Sequence, residues 1–452
     1  MKRQRSSVEK RPDADLDCRT RSNDVYDEIL HQRNDGYSVQ NSWFRLRSSI
    51  HKKGMEYGIE SAKISPSEGI KSLSQQLIQV KRKLWPAAEK CAAVWDSTPG
   101  DEFWRARAFA NPMEALGESR HGGLNQMFIN RSAIKLANID AILEFRLSDP
   151  HTTKNGATSH FLFADLCGAP GGFSEYIMKR IRSKRSGCVC RGYGISLVGK
   201  NEHGNGAIWR LDDFCESDDS FSINFRVHYG SDGTGDLYNW ENVKRFQNDI
   251  QLDLQEAMIS QKKMNLVVAD GGFDAQRDSE CQEELAQKLV LCELAAALEL
   301  LGDGGTMVLK LFGCRTEAIR MAMRSMYDFF HSMEFIKPVS SRPASSERYV
   351  VLSGFQGLPR DWEGGQSWIN NVLIGNCLRE DSKFYSEMVI SLDRFDRDML
   401  LLNLKACFAI LSRLERKIAA KELSNSIAKT EFREERERIN TNMYKHNWQL
   451  YI

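Results

Sequence analysis

Phe161-Leu162-Phe163-Ala164-Asp165-Leu166-Cys167-Gly168-Ala169-Pro170-Gly171-Gly172-Phe173-Ser174 is the stretch that decides the fold. FLFADL is an apolar run short enough for a buried strand, three glycines follow, and FSEYIMKRI then resumes helical spacing. A strand that runs through a glycine loop into a helix is how open α/β sheets build a ligand crevice at strand C-termini. Glycine tolerates positive φ and lets a ligand approach the backbone. A dinucleotide calls for G-x-G-x-x-G with its pyrophosphate on the helix N-terminus. Here the spacing is G-x-x-G-G, and Pro170 removes a backbone donor. Asp165, near the strand end, suits a ligand carrying an ammonium and ribose hydroxyls, which favours S-adenosylmethionine over NAD. On spacing alone, a purely structural turn stays open.

Working outward, the pattern predicts a helix over 127–146, with Met127, Ile134, Ala137 and Ala141 along one stripe, and another over 282–301 ending at Gly302. Strands are expected at 193–197, 225–229, 264–269, 306–312 and 348–353. Strands alternating with helices predict an α/β fold with a mostly parallel sheet covered on both faces. Leu400, Leu404, Phe408, Leu411, Leu414 and Ile418 recur at helical spacing and are expected to pack on the main domain. The expected organisation is a polar, partly disordered N-terminal arm over 1–60, a catalytic domain over 61–395 and a C-terminal helical extension over 396–452.

The chain has 452 residues, with 62 Lys+Arg against 61 Asp+Glu, so its net charge of +1 names no partner. Hydrophobic residues make up 41% and charged ones 27%, as in ordinary globular proteins. No apolar run approaches the ~18–20 residues that span a bilayer, and MKRQRSSVEK lacks the apolar core of a signal peptide, so no membrane is expected. The 11 cysteines include no CxxC, which argues against a disulfide scaffold or a zinc ribbon; no metal is expected. Lys2, Arg3 and Arg5 suit an import or RNA-contact patch and equally a solvated terminus.

DLCGAPGGFSEY (165–176) resembles the first motif of the FtsJ-like 2′-O-ribose RNA methyltransferases. NRSAIKLANID (130–140), VADGGF (268–273), KLF (310–312) and KPVSSRPASSERYVV (337–351) resemble, in matching order, segments of the eukaryotic cap-specific mRNA 2′-O-methyltransferases acting on the first transcribed nucleotide. The resemblance covers about residues 90–360. It implies a Rossmann-like, S-adenosylmethionine-dependent fold and a catalytic set of Lys135, Asp270, Lys310 and Glu347. Independently of the resemblance, a ribose 2′-hydroxyl is a poor nucleophile and needs a base, or a cation that stabilises its developing charge. Lys310 is the expected base: it lies in the apolar strand MVLKLF, and burial with a second ammonium nearby lowers a lysine pKa. Asp270 is expected to orient it, Lys135 to depress its pKa and steady the oxygen, and Glu347 to pair with a lysine.

The resemblance also implies cofactor contacts at Asn130, Cys167, Gly168, Ala169, Pro170, Gly171, Gly172, Phe173, Asp236 and Leu237. It implies substrate contacts at Trp95, where a cationic 7-methylguanine would stack, and at Arg107, Glu280, Cys281, Gln282 and Ser345. Trp95 is equally readable as a core residue. The implied partners are the capped mRNA 5′ end and RNA polymerase II-associated factors, and the implied location is the nucleus. The chain is either a compact relative or a catalytic fragment. Ribosomal or transfer RNA as substrate, and a non-catalytic RNA-binding module, are the alternatives; Pro170 and the glycine spacing disfavour a dehydrogenase.

Overall fold

Alternation along the strands builds the sheet. In the computed structural model, which describes residues 46–51, 66–111, 128–148, 160–183, 188–198, 208–213, 224–272, 281–375 and 382–422, the strands are β1 (Leu46–His51), β2 (His160–Leu166), β3 (Val189–Ile195), β4 (Asn224–His228), β5 (Met264–Ala269), β6 (Leu301–Leu311), β7 (Phe330–Lys337) and β8 (Arg348–Phe355). The helices are α1 (Pro66–Trp95), α2 (Pro99–Ala110), α3 (Arg131–Ile142), α4 (Gly172–Ser183), α5 (Trp240–Glu256), α6 (Gln282–Leu300), α7 (Glu317–Phe329), α8 (Gly365–Leu373) and α9 (Ser382–Glu422). The strands form one sheet in the order β1-β7-β8-β6-β5-β2-β3-β4. From β4 through β6 all neighbours are parallel. β8 then runs antiparallel to both β6 and β7, and β1 antiparallel to β7.

The chain moves outward from β2 through β3 to β4, then returns to pair β5 on the other side of β2. That reversal opens a crevice beyond the C-termini of β2 and β5, where doubly wound sheets bind ligands. Leu162, Ala164 and Leu166 face the core packed by α5 and α6, whereas Phe161, Phe163, Val268, Val308 and Tyr349 face the core packed by α3 and α4. The same alternation carries Asp165, Asp270, Lys310 and Glu347 to the α3/α4 face, at or just past the strand ends.

A third apolar cluster joins α1, α2 and the second half of α9 through Leu77, Leu84, Cys91, Leu404, Cys407 and Leu414. The first half of α9 inserts Leu392, Phe395 and Met399 into the main core. The divide expected at 395/396 therefore falls inside one helix, and β1 lies within the stretch expected to be an arm. Phe408 is 50% exposed; Cys407 takes the inward position between Leu404 and Leu411, and a residue one place on is rotated about 100° away. β3 begins earlier than expected because Arg191 is tolerated mid-strand by an ion pair with Asp253 at 2.6 Å. α6 stops at Leu300 and passes straight into β6, so Gly302 lies in the strand and is no helix cap. β7 was not expected from the sequence. Met127 and residues 1–45 fall outside the described residues. Among the described residues no helix is long and apolar enough to cross a membrane.

Candidate active site

The glycine-loop side of the crevice is shaped by what glycine omits. A Cβ on Gly168 would lie 2.1 Å from Asp165 Oδ1, so the loop can lie on that carboxylate only without a side chain there. A Cβ on Gly172 would lie 2.1 Å from Asn130 Oδ1, which lets the start of α4 press against the start of α3. Asn130 caps α3, its Oδ1 accepting from Ser132 N at 2.9 Å. Cys167 N donates to Ile195 O at 2.7 Å and Gly171 N to Gly168 O at 2.8 Å, fixing the loop through Ala169, Pro170 and Gly171. Phe173 is buried in the α3/α4 core, and ring-packs with Tyr349 at 6.1 Å. Across the crevice, Val198 N donates to Thr234 O at 2.8 Å, bringing the β4–α5 loop beside the end of β3. Asp236 there accepts from Tyr238 N at 2.8 Å, and Leu237 is buried.

Asp165 does not project at a ligand. It is wholly buried beneath the loop, Oδ2 accepting from Ser174 Oγ at 2.6 Å while Oδ1 has no partner. Burial pushes its pKa up to about 7, the Ser174 bond pulls against this, and the nearby Asp270 charge adds to the rise. Glu293 of α6 is a second buried acid, unnoticed in the sequence, with Oε1 unpartnered and its pKa raised by burial to about 8. Burial also pushes the adjoining Cys167 thiol well up, helped by Glu293. Asp165 and Glu293 are thus buried acids packed behind the glycine loop, with Asp270 close enough to Asp165 to raise its pKa. That donor set suits a positively charged ligand.

The opposite side of the crevice is built from charges that meet. Lys135 Nζ lies 2.8 Å from Glu347 Oε2, and Lys310 Nζ lies 3.2 Å from Asp270 Oδ1 and donates to the Asp270 carbonyl at 2.7 Å. Tyr349 OH joins the pairs, donating to Asp270 Oδ1 at 2.8 Å with Glu347 Oε1 at 3.4 Å, and Ser132 Oγ donates to Asp270 Oδ2 at 2.8 Å. All four expected side chains therefore converge, though they come from α3, β5, β6 and the start of β8. Tyr349 and Ser132 were not singled out in the sequence; the alternation in SERYVV puts Tyr349 on the face of Glu347, and this was the available signal.

Electrostatics alters one role. Burial pulls the Lys310 pKa down, but Asp270 and Glu347 more than offset it, so the amine sits above its ordinary value and is charged. The expectation of a depressed pKa fails because the cations are each paired before they can repel one another. Burial alone would raise the Glu347 carboxyl; Lys135, Lys310 and Lys337 hold it well below the usual carboxylate range.

The expected substrate contacts are more scattered. Ser345 sits beside the charged set, its Oγ accepting from Glu347 N at 3.2 Å. Cys281 and Gln282 open α6, and Glu280 lies outside the described residues. Trp95 ends α1, where its Nε1 donates to Lys417 O at 2.9 Å and Lys417 Nζ lies 5.3 Å from the ring centroid. Arg107 lies in the last turn of α2 over Phe103, 6.0 Å from its centroid. Both belong to the α1/α2/α9 unit. Among the described residues no cluster has metal-ligand geometry.

A model of the FtsJ-like methyltransferase family matches residues 128–355, just over half of the chain. The chain belongs to the FtsJ-like methyltransferase family. That match spans every strand from β2 to β8 and the whole charged set. The chain is 32% identical over 276 residues to cap-specific mRNA (nucleoside-2′-O-)-methyltransferase 1 of Danio rerio and 33% identical over 273 residues to that of Mus musculus. Each alignment takes in 59% of this chain but 30% of the relative, so the chain spans about 30% of the length of these curated relatives. A further relative, from Caenorhabditis briggsae, is 33% identical over 288 residues and is named an inactive cap-specific mRNA (nucleoside-2′-O-)-methyltransferase 1B. Similarity at this level therefore extends to a relative named inactive, and the side chains of the cleft carry the question of catalysis. Among solved structures, a chain described as a Plasmodium falciparum ribosomal RNA methyltransferase overlays with a TM-score of 0.33 at 17% identity, covering 51% of this chain and 99% of that one; a likeness that low carries no argument.

Proposed function

We propose that this FtsJ-like methyltransferase methylates the ribose 2′-oxygen of the first transcribed nucleotide of capped mRNA, taking the methyl from S-adenosylmethionine. The observation that carries the reaction is the meeting of Lys135, Glu347, Lys310 and Asp270 at the strand ends; the substrate class rests on the names of the relatives. S-adenosylmethionine, when bound, supplies a methyl on a cationic sulfur. Cys167, Gly168, Ala169, Pro170, Gly171, Gly172, Phe173 and Asn130 would hold it on one side, and Asp236 with Leu237 on the other. The buried acids Asp165 and Glu293 favour its positive charge.

Lys310 works on the 2′-oxygen. A positive charge in the crevice would lower the pKa of a neighbouring ammonium, so with the cofactor in place Lys310 Nζ would release its proton to solvent water and stand as the neutral amine. It then accepts the proton of the 2′-hydroxyl as the oxygen attacks. Asp270 aims Nζ, with its own rotamer held by Ser132 and Tyr349. Lys135, held by Glu347, donates to the oxygen and stabilises its developing charge. The protons belong to the coupled set rather than to one residue. Trp95 and Arg107 would meet the cap, and Cys281, Gln282, Glu280 and Ser345 the RNA. Nuclear location and recruitment by RNA polymerase II-associated factors follow from such a substrate.

The deciding experiment presents capped RNA with a free first 2′-hydroxyl beside the same RNA uncapped, and beside ribosomal and transfer RNA. Methyl transfer is expected on the capped strand alone, and Trp95→Ala should narrow the preference by about tenfold, the worth of one base–aromatic stack. Equal methylation of capped and uncapped RNA overturns the substrate assignment. The inactive relative favours a second reading, a binding module that keeps the fold; absence of transfer to any RNA with capped RNA still bound would establish it.

A further inference from the structure

Lys337 ends β7 with its side chain 4% exposed, and burial of an ammonium is costly unless its donors are met. Here they are met three times. Nζ donates to Ser341 Oγ at 2.8 Å, to Ser345 O at 3.0 Å and to Glu347 O at 2.7 Å. All three acceptors lie on the loop between β7 and β8, which turns around this one group and delivers Glu347 to the cleft. An ammonium has three donors and a neutral amine two, so only the charged form satisfies the whole set. α3 grips the same loop from its other side: Arg131 donates to Ser340 O at 3.0 Å, and Ser340 N and Oγ each donate to Asn138 Oδ1 at 3.3 Å. Since α3 also carries Lys135, the two grips together set the separation of Lys135 and Glu347.

We infer that Lys337 is a positioning residue for methyl transfer: its ammonium gathers the β7–β8 loop so that Glu347 stays ionised and within hydrogen-bonding distance of Lys135. The inference rests on the methyl-transfer reading of the cleft. Lys337 does not reach the reacting atoms and acts through Glu347. The charged form is the one present below about pH 7, and there it bears on Glu347 directly. Burial lowers the Lys337 pKa to about 7 against the pull of Glu347, with Arg348 and Lys135 lowering it further, and Lys337 is among the charges that hold the Glu347 carboxyl down.

The test compares Lys337→Met, which keeps the length and loses the donors, with Lys337→Arg and the wild-type chain. S-adenosylhomocysteine binding, by calorimetry, reports the fold. Lys337→Met is expected to bind S-adenosylhomocysteine as the wild type does and to keep its KM for RNA. Its kcat should fall by tenfold or more, within the roughly hundredfold range for a reacting group misplaced by about 1 Å. The acid limb of its kcat profile should move to higher pH, because removing a cation from beside Glu347 raises the pKa values of the coupled set that includes Lys310; Lys337→Arg should restore part of both. A kcat close to that of the wild type, or a fall with an unmoved acid limb, overturns the inference. Should Lys337→Met bind no S-adenosylhomocysteine, Ser341→Ala decides: a smaller fall with the same upward movement supports the role, and an unchanged profile refutes it. A wild-type chain inactive on every RNA overturns the methyl-transfer reading and this inference with it. An active wild type with an unaffected Lys337→Met overturns this inference alone.

Discussion

The two sides of the cleft handle charge in opposite ways. At the parallel strands β2 and β5, Asp165 and Glu293 are buried with an oxygen of each unpartnered, and the loop above them is shaped by missing side chains. At the antiparallel side, where β8 returns beside β6, Lys135 and Lys310 are each already paired with a carboxylate and Tyr349 ties the pairs together. A side that keeps acids unpaired is organised to receive a charge; a side whose charges cancel is organised to hold geometry. Binding and transfer should therefore respond differently to mutation and to pH.

The largest expected effect lies on the transfer side. Lys310→Ala should lower kcat on the order of a hundred- to a thousandfold, the range for loss of one preorganised polar group, while S-adenosylhomocysteine affinity, by calorimetry, stays near that of the wild type. An equal loss in binding would erase the distinction between the two sides. The cofactor side should give the reverse. Gly168→Ala drives a Cβ into Asp165, and overpacking of about 1–3 kcal/mol corresponds to roughly ten- to a hundredfold in S-adenosylhomocysteine affinity. Its kcat at saturating cofactor should change far less.

The smallest effect is on stability. Asp165 and Glu293 have folded pKa values of about 7 and about 8, above their ordinary values of 3.8 and 4.5. Between those limits the folded state binds more protons than the unfolded one, so stability is full at low pH and falls as pH rises. The melting temperature of the ligand-free protein should drop by several degrees for each pH unit between pH 5 and pH 7. Asp165→Asn should flatten part of that slope, and an unchanged slope would show that Asp165 is ionised throughout.

Much of this was legible in the sequence where a local pattern and a chemical one coincide. MNLVVA at 264–269 is β5 as expected, and the convergence of Lys135, Asp270, Lys310 and Glu347 was expected from the motifs that carry them. Long-range pairing was not legible. FHSMEFIK forms β7 although it holds His331, Ser332 and Glu334, because Glu334 is met by Arg146 from the end of α3 at 3.0 Å, a partner 188 positions away. The charge of Lys310 was misjudged for the same reason: burial is visible in an apolar run, but the distance to Asp270 and Glu347 is not. Lys337 escaped notice because a single lysine before a proline has no pattern.

α9 lies outside the segment matched by the family model, yet its Asp396 is buried against Arg348, the neighbour of Glu347 in the chain. A protein cut after Phe355 would strand that guanidinium in the interior without its counter-charge, a loss usually felt more than the absence of the whole pair. The smallest stable piece of this chain is thus longer than the segment its family model matches, and anything that pulls on the terminal helix pulls on the strand that begins beside Glu347.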